Sequence, residues 1–102
     1  MITLEVSNYQ LKVQGHSGYA EEGSDIVCAA ISVLIPTLVN TLTLNDEFVK
    51  VLENTKGSAN ILFPALESTT GRSILDGFCL TFEELANQYP INVSYQDNRR
   101  YH

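Results

Sequence analysis

Residues 15–34, GHSGYAEEGSDIVCAAISVL, mark the change from a glycine-punctuated loop to an apolar helix. The loop occupies residues 15–23. Ser24 and Asp25 follow it, and both are residue types that cap helix N-termini. Beyond them, apolar side chains recur at spacings of three and four, which predicts a helix over about residues 25–43. The predicted core-facing stripe of this helix is Val27, Ile31, Leu34, Leu38 and Leu42.

On both sides of this stretch, alternating apolar and polar residues predict β-strands, and a second apolar stripe predicts another helix. The predicted elements, in chain order, are strands over 2–6 and 9–13, the helix just described, strands over 48–52 and 59–65, a helix over 71–88 and a strand over 91–95. This order, β-β-α-β-β-α-β, predicts an α+β domain with two helices packed on a largely antiparallel sheet. It leaves open whether the helices share one face of the sheet.

Chain length and the positions of single residues refine this outline. A chain of 102 residues predicts a single domain over residues 1–102. Pro64 cannot donate a hydrogen bond to a neighbouring strand, so its strand is expected to lie at a sheet edge or to end there. Residues 96–102 are polar and terminal, and we expect them to form a loose tail.

Composition and charge narrow the class of protein. The formal net charge is −6, so the chain lacks the basic surface that nucleic-acid binding needs, whereas it suits a basic protein partner. The N-terminal residues do not resemble a signal peptide, and polar residues interrupt the longest apolar run, residues 26–44, so no membrane span is expected. We therefore expect a cytoplasmic protein whose two cysteines are free thiols, with Cys79 buried in the core.

The sequence gives no sign of a bound metal or organic cofactor. Two Cys and two His stand at spacings that do not form metal-ligand pairs. The glycines of the loop fit neither the phosphate-binding nor the dinucleotide-binding spacing. We therefore expect chemistry that is carried by side chains alone.

Cys28 and His16 are the candidate catalytic pair. Cys28 lies in the first turn or two of the predicted helix, where unpaired N–H groups and the helix dipole favour an anion. A thiol there ionises more easily, and the thiolate is the nucleophile. An imidazole in the preceding loop is a candidate base. The residues alone leave open that Cys28 is a small buried hydrophobe and His16 an ordinary loop histidine.

The run Gly15-His16-Ser17, then Gly23, then DIVCAAIS over residues 25–32, resembles the signature of the ribosomal-processing cysteine proteases, the Prp family. That signature is GH[AS] followed by G-x-DIVCAA[VI]S, and the separation of twelve positions between His16 and Cys28 agrees with it. The resemblance implies an endopeptidase that removes a short N-terminal extension from one bacterial large-subunit ribosomal protein, the twenty-seventh in the usual naming. It implies that Cys28 is the nucleophile and His16 the general base, and it suggests a homodimer. Related phage proteases act on capsid-assembly proteins, which makes a phage client the alternative.

Two more residues match the signature and are possible supporting residues. Asp25 has three possible uses: capping the helix, accepting a hydrogen bond from His16, or holding the loop backbone. Ser32 shares a helix face with Cys28, and it either contacts substrate or bonds back to its own helix. Backbone amides near the helix start are candidate oxyanion donors.

The loop itself is the candidate substrate-contacting segment, with Gly15, Tyr19 and Gly23 as its notable members. Tyr19 either touches substrate at the rim of the site or covers the loop. The glycines permit a movement that brings His16 to Cys28 when substrate binds.

Two other functions remain open at this point. One is a non-catalytic protein-binding module of the same fold, with Cys28 buried. The other is a different thiol enzyme, such as an acyltransferase or a thioesterase. The binding module differs from the endopeptidase in the reactivity of Cys28, and the other thiol enzyme differs in the bond that it cleaves.

Overall fold

A computed structural model of the chain describes residues 1–21 and 25–100. Its elements follow the predicted order β-β-α-β-β-α-β. They are β1 (Ile2–Val6), β2 (Gln10–Gly15), α1 (Ile26–Leu44), β3 (Lys50–Thr55), β4 (Ser58–Leu62), α2 (Thr69–Gln88) and β5 (Val93–Asp97). The predicted α+β class is confirmed.

The five strands form one sheet in the order β3-β4-β2-β1-β5. The pairs β1–β2, β2–β4 and β3–β4 are antiparallel, and β5 pairs parallel to β1, so the largely antiparallel sheet is confirmed. β4 lies inside the sheet between β3 and β2. The prediction that the strand before Pro64 lies at a sheet edge is therefore wrong. The other prediction, that the strand ends near Pro64, is right, because β4 ends at Leu62.

Both helices pack on one face of this sheet. The buried residues of β1 and β4 alternate with more exposed ones, as period two requires. They form a single core with the buried faces of both helices. Phe63 and Phe82 lie in this core without exposure to solvent. The opposite face of the sheet carries polar side chains such as Glu5 and Lys12, which are exposed.

Helix α1 begins one residue later than predicted because Asp25 is its N-cap. Its buried stripe contains Ile35 where the sequence suggested Leu34, which is only partly buried. The polar residues within this segment predicted that it could not span a bilayer. By length and composition alone that prediction is wrong, because α1 has 19 residues and an 18-residue window of it has a mean hydropathy of 2.0. Its threonine hydroxyls bond to carbonyls four residues earlier, which satisfies them within the helix. Core helices of globular domains have the same properties.

The chain between α2 and β5 differs from the predicted extended segment. The backbone N–H groups of Asn92 and Val93 both donate to the carbonyl of Tyr89, which makes residues 89–93 a tight turn. Ile91 is therefore outside β5 and is 82% exposed, rather than part of a strand. The turn places Asn92 directly beneath the start of β1, because its carbonyl accepts from the N–H of Ile2.

The predicted loose tail is wrong for residues 96–100. Gln96 and Asp97 belong to β5. Arg99 forms salt bridges with Asp97 and Asp76, and its side chain is 9% exposed. Asn8 exchanges two hydrogen bonds with the backbone of residue 100. These contacts fix the segment, since charge-assisted hydrogen bonds to two carboxylates offset the cost of removing the guanidinium from water. Tyr101 and His102 lie outside the described residues.

Candidate active site

A cavity of about 460 Å³ opens between the loop after β2, the start of α1 and the hairpin that joins β3 to β4. The sequence-predicted residues on its wall are Gly15, His16, Asp25, Cys28 and Ser32. Tyr19 is not on this wall: its ring packs edge-on against that of Tyr89, with 5.4 Å between ring centroids. Gly23 lies outside the described residues. The fold therefore brings five of the seven predicted site residues around one space.

Cys28 occupies the third position of α1, in its first turn. It is a partly buried free thiol, so it differs from Cys79, which is buried in the core as predicted. The backbone N–H of Ser17 donates to Cys28 Sγ across 3.5 Å. A donor aimed at sulfur favours the thiolate over the neutral thiol. The loop thus contacts the candidate nucleophile directly.

Asp25 serves the first of its three possible uses, and it holds the loop through a side chain rather than through the loop backbone. Its Oδ1 accepts from the N–H groups of Val27 and Cys28, both at 3.0 Å, which caps the helix. Its Oδ2 accepts from the hydroxyl of Ser17, which ties the loop to the cap. Within the described residues, His16 is not among the donors to this carboxylate. The hydrogen bonds from Ser17 and from the Cys28 N–H lower the pKa of Asp25 to about 2.

The hydrogen bonds to Asp25 also occupy backbone amides that were candidate oxyanion donors. The amides of Val27 and Cys28 are bonded to the Asp25 carboxylate. The amide of Ala29 is bonded to the Asp25 carbonyl at 3.1 Å. These three N–H groups at the helix start are therefore engaged in this structure, and donation to an oxyanion would require them to leave their present partners.

His16 is placed by the β3–β4 hairpin. A methyl group built on Gly57 would lie 2.9 Å from Cε1 and 3.0 Å from Nε2 of His16, so the imidazole rests against the bare backbone of this glycine. Gly57 also has a φ of +86°, a conformation that side chains disfavour. A hydrogen bond of 2.9 Å from the Gly15 N–H to the Gly57 carbonyl joins loop and hairpin beside the ring.

The low pKa of Asp25 gives a prediction on acid stability. Its carboxylate keeps its charge to lower pH in the folded protein than in the unfolded chain, where its pKa is about 3.9. Its contribution to the free energy of unfolding is then complete above that value and lost as the pH falls through about 2. We expect Asp25→Asn to lower the urea midpoint at pH 7 and the difference from wild type to shrink towards pH 2. Asp46→Asn, at the exposed far end of α1, should not show this pattern, and an equal deficit for Asp25→Asn at every pH would contradict it.

The model of the cysteine protease Prp family matches residues 1–94 of the chain. The chain belongs to this family of cysteine proteases. The "Ribosomal processing cysteine protease Prp" of Mycoplasma pneumoniae is 32% identical over 101 residues, which cover 98% of each protein. Its namesake in Mycoplasma genitalium is 29% identical, and the match covers 91% of this chain and 92% of that one.

Solved structures agree with the family fold. A protein from Streptococcus mutans superposes with a TM-score of 0.77 at 28% identity, covering 97% of this chain and 93% of its own. The Prp protease of Staphylococcus aureus, crystallised with a covalently linked product peptide, has a TM-score of 0.87 at 22% identity, covering 96% of this chain and all of its own. The second likeness concerns the fold alone.

The structure adds site residues that the Prp signature did not assign. The hairpin wall of the cavity consists of residues 54–59, for which no sequence pattern indicated a functional role. Ser17 is part of the signature, but its role became visible only with its burial, at 1% exposure, and its bond to Asp25. Asn92 bonds the carbonyl of Ser17 from the far end of the chain, and no local pattern indicated it. Within the described residues, no group of three or more potential metal ligands is present.

Proposed function

We propose that Cys28 and His16 are the catalytic nucleophile and base of this cysteine protease, and that it cleaves the N-terminal extension of a large-subunit ribosomal protein. The observation that carries the proposal is that both side chains line one open cavity, with Cys28 on the first turn of α1. The Prp family membership supplies the reaction class. The relatives' name, ribosomal processing cysteine protease, supplies the client.

In the proposed reaction, His16 takes the proton of Cys28, and the thiolate attacks the scissile carbonyl carbon. The tetrahedral intermediate collapses, the C–N bond breaks, and the leaving amine receives the proton from His16. The thioester that remains is hydrolysed by water, which His16 deprotonates in turn. Asp25 and Ser32 support the site rather than react: Asp25 holds the helix start and the loop, and Ser32 lies one turn beyond Cys28 on the cavity wall.

The cavity suits an extended peptide better than a compact ligand. It is open, and its walls come from a loop, a helix start and a hairpin. The loop residues Gly15 and Gly18 contribute backbone surface, while Tyr19 is held against Tyr89 outside the wall. We include in the proposal that Gly15 permits the loop to adjust around a bound tail.

The test is cleavage of a ribosomal precursor that carries its N-terminal extension, with the mature protein as control. We expect mass spectrometry to find one released peptide, and the reaction in H₂¹⁸O to place one ¹⁸O in its new carboxyl group. Transfer of the acyl group to an added amine in preference to water, or turnover of thioesters alone, would favour the acyltransferase or thioesterase alternative. An intact precursor, with a capsid-assembly protein cleaved instead, would favour a phage client.

We further propose that the protease acts as a homodimer in the cytoplasm, without binding nucleic acid or a membrane. Ile26, Val33 and Leu44 are more than half exposed and lie along one stripe of α1, which offers an apolar surface to a second copy. The net charge of −6 suits a basic ribosomal protein as partner. Sedimentation velocity checks the dimer: Val33→Glu should shift the protein to monomer, whereas Leu80→Glu, equally exposed on α2, should not.

A further inference from the structure

Asn92 is buried, 9% exposed, in the turn between α2 and β5. Its own backbone is fixed on both sides: its N–H donates to the Tyr89 carbonyl at 3.0 Å, and its carbonyl accepts from the Ile2 N–H at 2.8 Å. From this fixed position its side-chain Nδ2 donates to the carbonyl of Ser17 at 2.9 Å. Asn92, near the C-terminus, therefore holds the loop that carries His16 by a hydrogen bond.

The carbonyl that Asn92 holds belongs to Ser17, the residue whose N–H contacts the sulfur. Ser17 donates its hydroxyl to Asp25 and its N–H to Cys28 Sγ. Its hydroxyl oxygen also accepts from the N–H of Tyr19 at 3.1 Å. With its carbonyl held by Asn92, every polar group of Ser17 has a partner, which suits a side chain that is 1% exposed. The orientation of the Ser17 N–H is thus set by these bonds together.

The donors that a helix start normally offers to a thiolate are occupied here. Val27 and Cys28 donate their N–H groups to Asp25 Oδ1. Among the described residues, the N–H of Ser17 is the backbone donor that points at the sulfur. Stabilisation of a thiolate on Cys28 then depends on the loop more than on the helix.

We propose that Asn92 is a positioning residue, which holds the Ser17 carbonyl and thereby restrains the Ser17 backbone, so that the Ser17 N–H stays directed at Cys28 Sγ and stabilises the thiolate. The inference rests on the proposed role of Cys28 as nucleophile. The edge-on contact of Tyr19 with Tyr89 joins the same loop to the same turn, so two separate contacts connect residues 89–92 to the site. The titratable groups around the sulfur are His16 from the loop, Asp25 at the helix start and Lys56 from the hairpin, and all three line the cavity.

The test compares two asparagines with opposite hydrogen-bonding roles. Asn92→Asp keeps the shape of the side chain but removes its donor. Asn60→Asp is the matched control. The Asn60 side chain is partly buried, it accepts a hydrogen bond from Gln10 at 2.8 Å instead of donating one, and it lies on the face of the sheet opposite the core. We measure the alkylation rate of Cys28 by iodoacetamide from pH 5 to 9, located by peptide mapping, together with kcat and KM for cleavage.

For Asn92→Asp we expect alkylation at pH 7 to slow roughly tenfold, the midpoint of the pH profile to move upwards, and kcat to fall with little change in KM. Asn60→Asp should match wild type in all of these. A variant of Asn92 that is less stable but keeps the wild-type alkylation profile would show a purely structural role and overturn the inference. If Asn92→Asp changes the alkylation profile but the wild-type protein cleaves no precursor, the result contradicts the proposed function and leaves the role of Asn92 standing.

A second measurement needs no variant of Asn92, and it decides the matter if those variants fail to fold. The amide resonance of Ser17 in wild type should move with pH at the midpoint of Cys28 alkylation. In Cys28→Ala, which keeps His16, the change in the Ser17 amide chemical shift at that midpoint should disappear. A Ser17 amide with the same pH response in both proteins would mean that its N–H does not sense the thiolate, which overturns the inference.

Discussion

Cys28→Ala should abolish peptide cleavage, and His16→Ala should slow it by about a hundredfold to ten-thousandfold, with both proteins still folded. The alanine at 28 leaves no atom to form the acyl-enzyme, and the loss of a positioned base has effects of that size. Cys28 is only partly buried and His16 is exposed, so neither truncation opens a large core cavity. The measurement is kcat/KM on a precursor peptide, with circular dichroism for the fold. The double variant should be no worse than Cys28→Ala, because the two groups act as a unit.

Cys79→Ala is the control for this prediction. Cys79 is 2% exposed in the core, and burial raises the pKa of its thiol. We expect this variant to lose about 1 kcal/mol of stability while it keeps wild-type cleavage. Iodoacetamide should likewise label Cys28 well before Cys79. Retained activity in Cys28→Ala would exclude Cys28 as the nucleophile.

Gly57→Ala should lower kcat/KM by about a hundredfold, far more than its effect on stability would suggest. The added methyl group would lie 2.9 Å from His16 Cε1, so the imidazole has to move. A displacement of about 1 Å in a catalytic group costs roughly a hundredfold in rate. The backbone strain at φ +86° costs only about 1–2 kcal/mol in stability. Kinetics on the precursor peptide and urea unfolding of the same samples separate the two effects.

Two further variants identify the cause. Gly57→Asn also places a Cβ against His16, but Asn tolerates the left-handed region better, so it should recover stability without recovering activity. Gly77→Ala is the matched control: its added methyl group meets nothing within 4 Å on α2, and we expect full activity and unchanged or higher stability. If Gly57→Ala is merely less stable and cleaves normally, the position of the His16 ring against the hairpin is not important for catalysis.

Much of this fold was predictable from local patterns. Period-two segments gave β1 and β2, and the 3.6-residue period with Asp25 before it gave α1 to within one residue. Such patterns arise because one side of a single helix or strand faces the core, so they can be read from residues that are close together in sequence. The errors lie where partners far apart in sequence decide the outcome. The interior position of β4 depends on β2 and β3, and the order of residues 96–100 depends on Asn8 and Asp76.

The chain's family and its candidate pair, His16 and Cys28, follow from residues close together in sequence, because a loop and the helix after it must be neighbours in space. The tertiary structure decided what surrounds that pair. Only folding brings Gly57 under the imidazole and Asn92 against Ser17, since these contacts arise from strand pairing and from the turn after α2. Spacing along the chain carries no record of such contacts, because they depend on how whole elements pack.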